Sequence, residues 1–328
     1  MNSPFPAITE PDRQDGEIPF PLILASSQTP GATVQRLDAA LEWLSANRLR
    51  LLEQLEQHGV ILFRGFPIGG DEEFDAALRA FELENFPYEG SLSNAVRRHR
   101  TERVFTANEA PPDIEIYLHH ELAQTPVYPT RLFFYCEAAP ESGGATPVCR
   151  SDWLLARLRE RAPEFVERCE RLGVRYINFM PADEDMESGQ GRGWRATLGA
   201  ENRVEAEARL KSLGYGWSWF DGAVLRACSP ALPAVRTLPG GKSVFFNQLI
   251  AAWRGWSDSR NEAERSICFG DHSEIPDDGM QAAAEIADEL TVDLEWQAGD
   301  MALVDNMQVL HGRRPYYGRR RVLASLAA

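Results

Sequence analysis

Residues 117–136 read YLHHELAQTPVYPTRLFFYC. The apolar and aromatic runs on either side of the Pro-containing middle have the composition of short strands. Side chains two apart on a strand leave from one face, so His119 and Glu121 are expected to converge while His120 points away. A His-x-Glu pair on a strand supplies part of a metal site, and a further histidine from a distant strand would complete it. The fold that brings such distant strands together is the question this stretch poses.

Around it, VFTAN from 104, IEIYLHHEL from 114 and TRLFFYCEA from 130 are strand-like, and ESGGATPVCR adds a Gly-Gly turn leading into another strand. Strands recur at 214–228, in KSVFFNQL at 242–249, and through the C-terminal segment. Leu37, Leu41, Leu44, Leu51, Leu52 and Leu55 lie near helical spacing and predict a helix over 34–58 that ends at Gly59; GVILFRGF then reads as a strand. Further helices are expected at 71–83, 151–172 (with Ser151 as N-cap and a restart at Pro163), 201–213 and 279–290. Strands and helices do not alternate, which argues against a doubly wound parallel sheet. The expectation is an α+β chain with a double-stranded β-helix, the jelly-roll or cupin-like core, carrying N-terminal and inserted helices. One domain is expected over 1–328, with the strand core at about 104–150 and 214–328 and a helical insert at about 151–213.

Composition narrows the function. The chain has 328 residues and a formal net charge of −15, which disfavours nucleic acid or an anionic membrane as main partner. Five cysteines without a C-x-x-C pattern fit a reduced cytoplasmic protein. Residues 1–20 lack the basic start and apolar run of a signal peptide. No run of 18 apolar residues marks a membrane span.

Of six histidines, His58 ends the first helix, His99 sits in RRHR and His272 in an acidic loop, and these three read as surface residues. His311, in NMQVLHGRRPYY, follows an apolar stretch and precedes a turn. With His119 and Glu121 it makes two histidines and one carboxylate, a facial set that leaves positions open for a chelating cosubstrate and O₂ on Fe(II). Zn²⁺ accepts the same donors, so a zinc hydrolase stays open at this point, as does a non-catalytic cupin-like binding protein.

The segment LHHELAQTPVYPTRLFFYCEAAPESGGATPV resembles the metal-binding core of the taurine dioxygenase/clavaminate synthase-like Fe(II)- and 2-oxoglutarate-dependent oxygenases. The likeness rests on His119-x-Glu121, Tyr128-Pro129, the Phe133–Tyr135 strand, Gly143-Gly144-Ala145-Thr146-Pro147, and HGRRPYYGRRRVLASL. GWRATLG and SVFFNQL also resemble the family. The resemblance implies that His119, Glu121 and His311 hold Fe(II). It further implies that Thr146 and Arg321 bind 2-oxoglutarate, with Arg321 preferred over Arg320 because it directly precedes the apolar Val322-Leu323. A guanidinium suits that role, since it grips a carboxylate through two parallel hydrogen bonds. The intact Glu121 implies oxidation rather than halogenation: hydroxylation of an unactivated C–H, with desaturation or epoxidation as the alternative outcome.

The stretch VFTANEAPPDIEIYLHHE is similar to SyrP-like amino-acid hydroxylases of nonribosomal peptide and antibiotic biosynthesis. The implied partner is a small amino-acid-like substrate, free or attached to a peptidyl carrier protein. Asn94, Asn108 and Asn247 are the candidate substrate contacts, and homo-oligomerisation is compatible with the sequence. The basic run Arg97, Arg98, Arg100 and Arg103 could meet an anionic substrate or form a solvated basic face; the solvated face is the expectation.

Overall fold

The computed structural model describes residues 5–6, 18–26, 36–88, 92–93, 95, 97–183, 192–256 and 266–328. Two sheets form the core. The larger runs Leu22–Ala25, Val60–Arg64, Met301–Asp305, Arg131–Ala138, Arg321–Ala327 and Phe105–Thr106. The smaller runs Val292–Leu294, Thr146–Arg150, Val309–Arg313 and Ile116–His119. Within these sheets only Leu22–Ala25 with Val60–Arg64 is a parallel pair; the others are antiparallel. This is the expected jelly-roll arrangement in an α+β chain.

Strand alternation divides the apolar residues between the two faces of each sheet. Phe134, Val322, Ala324 and Leu326 of the larger sheet meet Val148, Val309 and Leu294 of the smaller one in a shared core. Their neighbours Phe133, Leu303 and Leu323 face the other way, against Leu44, Leu51 and Leu55 of the helix Leu37–His58 and Phe74 of the helix Asp71–Arg79. On the outer face of the smaller sheet, Leu118, Cys149 and Leu310 pack on the helices Ser151–Arg161, Pro163–Leu172 and Asp277–Leu290. Each fully buried Leu, Val or Phe contributes roughly 1.5–3 kcal/mol, so a one-residue register slip would be costly in every layer.

The first helix ends at Gly59, whose φ of 74° lies in the left-handed region. A Cβ there would approach Val309 Cγ2 to 2.7 Å. The glycine therefore lets the helix end close against the strand that carries His311.

Several expectations change. Arg150, not Ser151, occupies the N-cap position of the helix at 151, without a side-chain capping bond; the Ser151 hydroxyl instead donates to the Gln308 carbonyl. His58 is buried, with Nδ1 2.7 Å from the Pro19 carbonyl. The region 151–213 is not purely helical: Val174–Met180 is a strand, and it pairs with Val224–Cys228 and Ile267–Phe269. Gly216–Phe220 completes that separate sheet, so the strands at 214–228 belong to the insert rather than to the jelly roll. The run VRYINFM follows directly on the helix-ending Gly173, where the long helical pattern before it obscures a short strand. KSVFFNQL contains only the two-residue strand Ser243–Val244, and the chain turns into the helix Leu249–Gly255. Among the described residues, no helix is long and apolar enough to cross a membrane.

Candidate active site

The strand Ile116–His119 ends at His119, directly opposite His311 in the antiparallel register. The two imidazole rings lie 4.4 Å apart, and His311 also packs on Phe134 of the facing sheet. Glu121 is not in the strand, so alternation does not bring it to His119. Asn306 does. Its side-chain oxygen accepts from the Glu121 backbone N–H at 2.7 Å, and its amide donates to the carbonyls of Glu121 and Pro129. The chain then reverses through Leu122, whose φ is 59°.

One ligand atom from each of His119, Glu121 and His311 can be chosen so that all three lie within 4.8 Å of one another. Nε2 of His119 is 3.9 Å and Nε2 of His311 is 3.7 Å from Glu121 Oε2. The Tyr117 carbonyl engages His119 Nδ1 at 2.8 Å, which leaves Nε2 turned toward the others. Burial, reinforced by His311, holds His119 neutral, its pKa lowered to about 4. Burial by itself would raise the Glu121 carboxyl; the Arg97 guanidinium and His311 outweigh it and hold the group well below the usual carboxylate range. A neutral imidazole at His119 and an ionised carboxylate at Glu121, with the second imidazole of His311 beside them, are the donor types that a divalent metal needs.

His120 lies on the other side, fully buried. Its Nδ1 is 2.5 Å from the Asn306 carbonyl, its ring packs on Phe246, and burial lowers its pKa to about 3. The asparagine that holds Glu121 thus also anchors the neighbouring histidine. Asn306→Leu is expected to lower metal affinity by about 10–100-fold, the range for groups that orient ligands, and to cost about 1–3 kcal/mol of stability. Metal titration alongside urea unfolding measures both; an unchanged metal affinity would remove Asn306 from this role.

A cavity of about 160 Å³ opens from the triad between the two sheets. Thr146 and Arg320 line it side by side. Thr146 Oγ accepts from Trp296 Nε1 at 3.0 Å and stands 3.5 Å from Arg320 Nη2, so its own proton remains available to a ligand. Arg320 Nε donates to the Gly144 carbonyl, and burial, with Arg313 nearby, lowers its pKa to about 10, still protonated at neutral pH. Gly144 has φ 71°, and a Cβ there would meet Tyr316 at 2.9 Å and Arg320 at 3.0 Å. The Gly-Gly turn therefore brings backbone against this arginine.

Arg321 is not in the cavity. Its side chain is 44% exposed and pairs with Glu137 at 3.0 Å, which corrects the preference for it over Arg320. Val322, Ala324 and Leu326 face the inter-sheet core, while Arg320 precedes the strand Arg321–Ala327 and is drawn to that side by the Gly144 carbonyl and Thr146. Asn247 is corrected as well. It is buried away from the cavity lining, its amide donating to the Ala234 carbonyl and its oxygen accepting from the Leu249 N–H. Asn108 lines the cavity, although its side-chain oxygen is engaged by the Ala110 N–H. Asn94 lies outside the described residues.

The basic run also divides. Arg98 and Arg100 pair with acidic residues at the surface. Arg97 instead enters the cavity with a side chain 7% exposed, donating from Nη2 to both Glu121 oxygens at 2.9 Å. Nothing in the charge pattern separates Arg97 from its neighbours; the surrounding rings of Tyr88 and Phe105 and the Glu121 carboxylate do.

The sequence profile described as "Taurine catabolism dioxygenase TauD, TfdA family" matches residues 25–326. The chain belongs to the TauD/TfdA family. It is accordingly an Fe(II)- and 2-oxoglutarate-dependent dioxygenase, which sets aside the zinc-hydrolase and silent-binder alternatives. A clavaminate synthase-like protein of Arabidopsis thaliana is 36% identical over 326 residues, covering 99% of this chain and 94% of that one. The dapdiamide synthesis protein DdaC of Enterobacter agglomerans is 27% identical over 320 residues, covering 93% of each. Among solved structures, an asparagine oxygenase complexed with Fe(II), 2S,3S-3-hydroxyasparagine and succinate superposes with a TM-score of 0.54 at 12% identity, over 89% of this chain and 83% of that one. That likeness concerns the fold. In this TauD/TfdA chain the donor set at the triad fits Fe(II), and the Thr146–Arg320 pair in the cavity fits a dicarboxylate.

Proposed function

We propose that His119, Glu121 and His311 hold Fe(II), that Thr146 and Arg320 bind 2-oxoglutarate, and that the enzyme hydroxylates an unactivated C–H of a small amino-acid-like substrate. The observation that carries this reading is the clustering of the three ligand atoms within 4.8 Å, in a cavity that Thr146 and Arg320 also line. When bound, the metal and its cosubstrate supply activation of O₂ and oxidation of the substrate carbon.

The chain's own residues prepare for that chemistry. Neutral His119 and ionised Glu121 present lone pairs without first losing protons. Tyr117 and Asn306 fix the orientations of His119 and Glu121, so little rearrangement accompanies metal binding. Arg320 offers a carboxylate a charge-assisted hydrogen bond in a partly dry pocket, and Thr146 offers a second donor. Phe134 and Val322 line the cavity and limit the water near the reacting carbon.

The substrate class draws support from the names of relatives: one takes part in dapdiamide synthesis, and a structural neighbour carries a hydroxylated asparagine. Attachment to a carrier protein and diversion to desaturation or epoxidation use the same ligands and are separated by the product.

The test is succinate formation coupled to O₂ uptake, with Fe(II), 2-oxoglutarate and a panel of free, N-acylated and carrier-loaded amino acids. One or more members should raise turnover well above the substrate-free rate, with a product 16 mass units heavier, as insertion of one oxygen requires. Turnover that proceeds equally without 2-oxoglutarate would refute the proposal.

A further inference from the structure

Among the described residues, four that line the cavity carry a buried polar atom without a hydrogen-bond partner: Arg97 Nε, Gln124 Oε1, His311 Nδ1 and Arg313 Nε. His311 is a metal ligand of the proposed function, and the Arg313 guanidinium already donates to four backbone carbonyls through Nη1 and Nη2, which leaves Arg97 and Gln124. Buried polar groups are rarely left unpaired; water or a ligand normally pairs with them, and a substrate displacing that water would take over its hydrogen bonds. Arg97 Nε is a charged donor and Gln124 Oε1 a neutral acceptor.

Arg97 has a second unmet need. Among the described residues its only ion-pair partner is Glu121, contacted through Nη2 alone. That carboxylate is also the metal ligand of the proposed function. Once it shares its charge with a divalent cation, it offsets the guanidinium less. Tyr88 and Phe105 cover the guanidinium with aromatic rings, with centroids at 4.8 and 5.2 Å from Cζ, and supply no anion. Glu115 also lines the cavity, but its carboxylate accepts from Arg314 at 2.8 Å. The loaded site thus retains a dry guanidinium short of negative charge, directly beside the metal carboxylate.

We infer that Arg97 binds a free carboxylate of the substrate, with Gln124 accepting a substrate N–H, so that the enzyme selects free acids over carrier-bound thioesters. This rests on the oxygenase reading above. A thioester has given up its carboxylate charge and would leave Arg97 uncompensated. An amino-acid derivative with both groups intact matches the donor and the acceptor together. Arg97's contact with Glu121 fixes where such a carboxylate sits relative to the triad, which makes Arg97 a determinant of both substrate class and substrate position.

The experiment uses the full chain loaded with Mn(II) and N-oxalylglycine, the non-reacting isostere of 2-oxoglutarate, whose uptake is measured first. N-acetyl-L-alanine and its primary amide, N-acetyl-L-alaninamide, are then titrated separately. They differ only in the carboxylate, and the readouts are the fluorescence of the cavity-lining Trp256 and the shift in melting temperature. The acid is expected to bind at least about tenfold tighter than the amide, the factor that a difference of 1.4 kcal/mol produces. Arg97→Gln should bring the two affinities together. Arg97→Lys keeps the charge and serves if the glutamine variant does not fold; it should reduce the preference severalfold, because it lacks the planar fork. Equal binding of acid and amide by the wild type, binding of neither, or a preference unchanged in the variants overturns the inference while leaving the oxygenase reading intact. A chain that takes up neither Mn(II) nor N-oxalylglycine overturns both.

Discussion

His119→Ala is expected to lose tight Fe(II) binding and 2-oxoglutarate turnover together. Changes to groups that only orient ligands already cost about 10–100-fold in metal affinity, so removal of a ligand should cost at least about 100-fold. The loss should be specific to this side chain. Its ring is already fixed through Nδ1, and Nε2 points toward Glu121 and His311. The adjacent His120→Ala is the control, and its expected result is of a different kind. His120 is fully buried against Phe246 and contacts the Asn306 carbonyl. Truncating it should cost roughly 2–3 kcal/mol of stability through a cavity and an unpaired carbonyl, while metal affinity stays close to that of the wild type. Anaerobic Fe(II) titration and denaturant unfolding on both variants separate the two. Retention of full iron affinity by His119→Ala would show that the triad assignment is wrong.

The second large effect concerns two adjacent arginines. Arg320→Ala should weaken 2-oxoglutarate binding on the order of 100-fold, since removing one member of a buried, hydrogen-bonded charge pair costs about 2–5 kcal/mol. Arg321→Ala should change it by no more than a few-fold, because an exposed pair such as Arg321–Glu137 contributes only about 0–1 kcal/mol. The dissociation constant of 2-oxoglutarate, measured on Mn(II)-loaded protein without O₂, reads the difference directly. If Arg321→Ala carried the larger loss, the assignment drawn from the cavity would be reversed.

These two pairs of neighbours mark where sequence reasoning succeeds and where it stops. His119, Glu121 and His311 were legible because few side chains bind metals and only six histidines compete for the role. Thr146 became a candidate through the family resemblance of its Gly-Gly-Ala-Thr-Pro turn. The reason given for the convergence of His119 and Glu121 was wrong all the same: the strand ends at His119, and a distant asparagine bends Glu121 into place. Arg320 had no secure local signal: it stands just before the strand Arg321–Ala327, beside a register irregularity, and its place is set by contacts with Gly144 and Thr146. Arg97 had no such signal. Four arginines within seven residues look alike until Tyr88, Phe105 and Glu121 surround one of them. Asn247 shows the opposite error, an amide on an aromatic run whose hydrogen bonds are all spent on holding the backbone.

By itself, then, the sequence determined the jelly-roll class, the candidate metal donors and the family, because these depend on residue type and on spacing within short segments. The tertiary structure alone decided which arginine faces the cavity, how Glu121 reaches the triad, and that the strands at 214–228 build a separate sheet. Each of those outcomes depends on contacts between separate segments, Arg320 with Gly144 and Thr146, Glu121 with Asn306, and Val224–Cys228 with Val174–Met180, and local periodicity carries no information about a partner that arrives from elsewhere in the chain.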